Sequence, residues 1–136
     1  MRIGQYIYSV LSNAAGVTAI VGTRIYPVYL PQDAAYPAIV FMATNVPHQL
    51  VKNEDAHHDR ATVTFHLWAS AAQGENGYAT LDNLDAAVRT ALDYVEGTAG
   101  NVTVQIAHYD GSVDIRNEEM TLFGREATYT FITKNA

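Results

Sequence analysis

Ile3, Tyr6, Ile7, Val10, Leu11 and Ala14 recur every three or four positions, the spacing of one buried helical stripe. They predict a first helix over residues 2–15, with Gly16 where a left-handed C-cap would sit. Val17–Gly22 reads as one further short turn, with Thr18 as N-cap and Gly22 as stop. In "TRIYPVYLPQDAAYP", Pro27, Pro31 and Pro37 forbid a helix and restrict central strands. An extended arm with a short edge strand fits that stretch.

"AIVFMAT" (Ala38–Thr44) is apolar and β-prone, hence a buried strand. Periodicity is lost from Asn45 to Asp59. From Arg60 the chain alternates, with Ala61, Val63, Phe65, Leu67 and Ala69 on one face and Thr62, Thr64, His66 and Trp68 on the other. Two strands with a long connector predict an antiparallel pair. "AAQGENG" (Ala71–Gly77) is a loop before a second helix, Tyr78–Glu96, whose stripe is Tyr78, Leu81, Leu84, Val88, Ala91, Leu92 and Val95. Asp82, Asp85, Arg89 and Asp93 lie mainly off it; Asp85 and Arg89 are spaced for an i,i+4 pair worth a few tenths of a kcal/mol. Gly97 and Gly100 end this helix. Asn101–Tyr109 and Arg125–Lys134 alternate as strands, and Asp110–Gly111 is a turn signal. The order predicts an α+β fold in a single domain, 1–136: a mainly antiparallel sheet, two amphipathic helices packed on one face, and a long loop between two strands.

Composition sharpens this picture. The chain has 136 residues, 49% apolar and only 16% charged, enough to bury a core and too apolar for a disordered chain. The low charge fraction favours burial of part of the surface in an assembly. Without cysteine, disulfides, thiolate metal sites and thiol catalysis are excluded. A net charge of −6 with eight scattered Lys and Arg residues argues against a dedicated nucleic-acid binder. No apolar run approaches the roughly 18 residues of a membrane span. Ser9, Ser12 and Asn13 interrupt the first apolar stretch, which reads as amphipathic helix and not as a signal peptide. A cytosolic product is expected.

The densest candidate chemistry is "NEDAHHDRATVTFHLWAS" (Asn53–Ser70), with His57, His58 and His66 beside Glu54, Asp55 and Asp59. Reach splits the cluster. Along a strand at about 3.3 Å per residue, Arg60 and His66 lie about 20 Å apart, so His66 cannot share a metal with His57 or His58 when metal–nitrogen bonds are near 2 Å. His66 is an ordinary residue of the strand's polar face. His57 and His58 sit adjacent on a polar loop, without the i,i+4 spacing of a zincin. "GENG" lacks the Lys and Ser/Thr of a phosphate loop. No serine occupies a nucleophile elbow, and Glu118 and Glu119, if extended, point to opposite faces. Nothing here supports catalysis or a cofactor. The larger anomaly is the connector itself: about 15 residues where hairpins use 2–5. Its mixture of Val46, Leu50 and Val51 with charge suits a segment that orders against a partner.

The segments "AIVGTRIYP", "YPAIVF", the long polar loop, "RATVTFHLWAS", "AAVRTALDYVEG" and "HYDGSVDIRNE" together resemble the tail-completion proteins of long-tailed bacteriophages, the tail-to-head joining or tail-terminator family. The resemblance spans nearly the whole chain and lies in the order of patterned segments. It implies a non-enzymatic structural protein of the virion. Such proteins form a ring, commonly hexameric, that caps the head-proximal end of the tail tube and joins it to the head connector. The implied partners are copies of itself, the tail tube protein and a head connector or head-completion protein, with a monomer compatible with the free state. DNA only passes through the channel, and no membrane is involved. The implied location is the tail–head junction, after assembly in the host cytoplasm. The long loop is then an assembly interface, comprising Val46, Leu50, Val51, Lys52, Glu54, Asp55, His57, His58, Asp59 and Arg60. Two other readings stay open: a small metal-dependent enzyme using the His57/His58 loop, and a host-cell binding module.

Overall fold

The computed structural model describes residues 3–45, 50–51, 54–55, 58–70, 75–99, 102–117 and 121–134. The first helical stripe forms α1, Ile3–Ser12, burying Ile3, Tyr6, Ile7 and Leu11. It stops earlier than the apolar spacing predicts. Asn13 sends both its backbone N–H (3.2 Å) and its side-chain Nδ2 (2.7 Å) to the Ser9 carbonyl, and Ala14 is extended at φ −86, ψ 109. A second helix, α2, Ala15–Val21, follows at once. Gly16 and Thr18 therefore lie inside a helix and cap nothing; Gly22 does end it, with its N–H on the Thr18 carbonyl. The break lets Val17 and Val21 become fully buried.

A six-stranded, mostly antiparallel sheet carries the rest, in the order β1-β2-β5-β8-β7-β6. Its strands are β1, Ile25–Pro27; β2, Ala38–Asn45; β5, His58–Ser70; β6, Gly97–Ala99; β7, Val102–Arg116; and β8, Leu122–Lys134. Two short strands, β3 (Leu50–Val51) and β4 (Glu54–Asp55), form a separate ladder. The predicted edge strand in the arm is β1, parallel to β2, and the predicted antiparallel pair is β2 with β5.

The long helix, α3, spans Glu75–Leu92, starting three residues before and ending four residues before the predicted Tyr78–Glu96. Tertiary contacts set both ends. At the start, Gly77 passes so close to Ser70 that a Cβ would meet the Ser70 carbonyl, with the Phe123 ring 3.3 Å away. At the end, Tyr94 takes a left-handed φ of 59 and donates its N–H to the Ala107 carbonyl at 2.7 Å. Gly97 belongs to β6, and Gly100 lies outside the described residues. Asp110–Gly111 is not a turn: β7 runs straight through it, with a register shift between Tyr109 and Gly111. The Asp-Gly pair supplies a β-bulge. Beyond β7, Asn117 Oδ1 accepts from the Thr121 and Leu122 backbones at 2.9 and 3.0 Å. Glu118 and Glu119 lie outside the described residues.

Three helices, where two were predicted, cover one face of the sheet. The alternating set Ala61, Val63, Phe65, Leu67 and Ala69 is buried there with Tyr129 and Phe131, against Ile7, Leu11, Leu81, Leu84, Val88 and Leu92. Edge-to-face aromatic contacts bind the layer, with Phe65–Tyr129 at 5.2 Å and Tyr109–Tyr129 at 5.3 Å. On the opposite face, Trp68 and Ile115 close over Gly124, where a Cβ would lie 2.5 Å from the indole.

Gly77 gives a test in which two effects oppose each other. Gly77→Ala raises helix propensity by about 1 kcal/mol, yet the methyl has no room beneath Ser70. The variant should be less stable by about 1–3 kcal/mol in urea titration, and an unchanged or raised midpoint would show that helix and strand can separate there.

Candidate assembly site

Of the loop residues singled out from the sequence, Val46, Lys52 and His57 lie outside the described residues. Leu50 and Val51 pair with Asp55 and Glu54 in the β3–β4 ladder, apart from the main sheet. His58 and Asp59 open β5 opposite Lys134 and Thr133. The strand therefore begins two residues before Arg60, because β8 is long enough to give these residues ladder partners. Arg60 is exposed, opposite Ile132. His66 follows eight positions after His58 on the same strand, about 26 Å away at strand rise. It faces Glu126 at 3.4 Å and packs edge-on to Trp68 at 6.2 Å. The separation of His66 from the loop histidine on β5 thus follows from the strand itself. Among the described residues no group of three or more His, Asp or Glu is placed to hold a metal ion.

His66 belongs to the sheet face that carries no helix. Thr62, Thr64 and Trp68 of β5 stand there opposite Thr130, Thr128 and Gly124 of β8. Beside them Asp110, Gly111, Ser112, Val113, Glu126 and Thr128 line a shallow hollow of ≈ 250 Å³. Val113 is exposed to 58%. This face is largely polar, with Val113 exposed among Asp110, Ser112 and Glu126, a mixture suited to contact with a wet partner surface.

The sequence gives little warning of the polar node on the helix side. Arg125 of β8 reaches Asp82 at 2.8 Å, Asp114 at 2.9 Å and Asp85 at 3.3 Å, with its own side chain 11% exposed. It also donates to the Tyr78 hydroxyl at 3.2 Å, and that hydroxyl donates to Asp114 at 2.7 Å. One guanidinium thus ties α3 to β8 and β7. Burial works against its charge, but the bonds to Asp114, Asp82 and Asp85 outweigh burial and hold it more firmly protonated than a free arginine. The hydrogen bond from Tyr78, then that from Arg125, holds Asp114 below its ordinary value of 3.8. The Tyr78 hydroxyl is pushed up in return, first by that bond. Tyr129, fully buried below, has its hydroxyl pushed up by burial and then by the negative charge of Asp85. Asp85 therefore does not make the predicted pair with Arg89, which bonds Asp93 at 3.3 Å instead.

Arg125→Leu would leave Asp82, Asp85 and Asp114 facing one another and should cost about 2–4 kcal/mol by denaturant unfolding. Arg89→Ala, at an exposed pair, should cost about 1 kcal/mol or less; equal losses would refute the node's role. Because the folded value of Asp114 is depressed, its contribution is complete above pH 3.8 and is lost as pH falls through the lower folded value. Asp114→Asn should accordingly flatten the acid limb of the stability curve.

The family model described as "Tail completion protein gp17" matches residues 5–134. No curated protein matches the chain. Among solved structures, the chain is similar to one in "Virion of native gene transfer agent (GTA) particle", at 19% identity and TM-score 0.78, covering 95% of this chain and 92% of that one. At that identity the likeness is one of fold.

Proposed function

We propose a role for this chain on the premise that it belongs to the Tail completion protein gp17 family, whose model covers residues 5–134. It is a structural tail protein of phage-like virions. Beyond that, our reading is that copies form a hexameric ring on the head-proximal end of the tail tube, stop tube growth and join the tail to the head connector. The protein acts there without catalysing a reaction or holding a cofactor, at the tail–head junction, after assembly in the host cytoplasm. Its partners are further copies of itself, the tail tube protein and a head-completion protein, while DNA passes through the ring. The family match over nearly the whole chain is the observation that carries this reading. A charged fraction of 16% and a β3–β4 ladder set apart from the main sheet lend it support.

Particles assembled without the protein should carry overlong tails, or tails that do not attach to heads, when viewed by electron microscopy. Tails of normal length attached to heads would sink the reading. Within the loop, Leu50 and Val51 pair with Asp55 and Glu54 in a ladder apart from the main sheet, so replacing both by Asp should leave the melting temperature of the free protein within a few degrees. The same change should abolish tail attachment if the β3–β4 segment is an assembly contact.

A further inference from the structure

β1 runs parallel to β2, with Ile25, Tyr26 and Pro27 beside Ile39, Val40 and Phe41. The Val28 N–H donates one further bond to the Phe41 carbonyl at 2.8 Å, and the chain then turns away at a Val28 φ of 70. A positive φ is a steric outlier for a β-branched residue and persists only where the surroundings impose it. Past that turn, among the described residues, no strand pairs with Met42–Thr44 on the edge of β2 that faces away from β5.

The chain's own topology keeps this position open. If β1 continued in register as far as Asn45 it would end at residue 31, leaving 38 − 31 = 7 residue steps to return to Ala38. The return distance is the same seven steps of β2, about 23 Å. A seven-residue chain reaches that only when fully extended, at about 3.3–3.6 Å per residue, with nothing left for reversing direction. The connector must therefore leave β2 early and cannot itself supply a strand there.

The neighbouring surface defines what would fit. Between α1 and β2 lie two adjoining cavities of ≈ 190 and ≈ 470 Å³ that share Gly4, Pro27 and Phe41. No charged side chain among the described residues lines either one. A free strand edge beside an apolar cleft accepts an extended segment, through main-chain bonds and alternate side chains. The chain itself offers such a segment. Ile25–Gln32 is uncharged, and its Val28 and Tyr29 are 61% and 74% exposed. A strained, short hinge at the base of an arm favours exchange between copies. We infer that the open edge of β2 and its cleft receive the Tyr29 arm of a second copy. The contact is one between copies and does not depend on the proposed position at the neck of the virion.

The absence of cysteine makes the test clean. Protein carrying only Tyr29→Cys is mixed with protein carrying only Gln5→Cys, at the cleft, and oxidised; no intramolecular disulfide can form. Tyr29→Cys mixed with Glu96→Cys, beside the opposite edge of the sheet, is the control. The cleft pair should be trapped several-fold more than the control, and Tyr8→Asp at the cleft rim should abolish the excess while the protein melts as before. No excess in either the purified protein or purified particles overturns the inference. So does trapping of Gln5→Cys to a different virion protein in place of Tyr29→Cys. Trapping that persists in protein whose removal leaves tails normal would retain this contact while refuting the neck role.

Discussion

The antiparallel pairing of β5 with β8 is the constraint on which the rest of the molecule depends. It runs without a register shift from His58 opposite Lys134 to Ser70 opposite Leu122. Because side chains alternate, that register places Ala61, Val63, Phe65, Leu67 and Ala69 on one face together with Ala127, Tyr129 and Phe131, and a slip of one residue would turn the whole set outward. The helices then have one apolar surface to cover. The same register brings Arg125 to the helix side at the level of Asp82 and Asp85, so the node and the core are consequences of one pairing. The β7 bulge at Tyr109–Gly111 restores alignment farther along, and Asp114 meets Arg125 across β7 and β8.

The node shows how burial decides between competing partners. Asp85 lies four residues from Arg89 on one helix, and local spacing alone favours that pair. Arg125 comes from a distant strand and wins. Its side chain is 11% exposed against 54% for Arg89, so water screens its charge less, and three carboxylates share the cost of desolvating it. Arg89 is left to Asp93 and to the face of Tyr109, 4.2 Å from the ring centroid. Asp93 in turn accepts the Tyr109 backbone N–H at 3.0 Å, anchoring the end of α3 to β7.

What could be read from the sequence follows the same division. The alternation from Ala61 to Ala69 and the stripe from Leu81 to Leu92 were legible because each element buries one face and exposes the other. The α+β class followed from them, and so did the separation of His66 from His58 along β5. Gly22 was legible as the end of α2, but the ends of α3 were not, because distant atoms set them: Ser70 crowds Gly77 at one end, and Ala107 captures Tyr94 at the other. Asp110–Gly111 carries the chemistry of both a hairpin turn and a bulge, and only the length of β8 opposite chooses between them. Arg125 read as the first residue of an alternating strand; two acids three apart on a helix, Asp82 and Asp85, were the available hint that a cation faced them.

The sheet's two faces divide the work of the protein. The helix side holds the core, the aromatic contacts and the Arg125 node, so changes there act on folding. The bare face and the open edge of β2 at Met42–Thr44 contribute few buried apolar side chains among the described residues and leave backbone or neutral surface available. An edge in this condition is a hazard for a free-standing protein, which usually places charge or proline along it. Here Met42, Ala43 and Thr44 are neutral and include no proline. The parallel β1–β2 connection forces that exposure, since a ten-residue connector (28–37) cannot both prolong β1 and return to Ala38. Topology therefore keeps β1 from covering this edge, and prolonging β1 over it would take a longer connector.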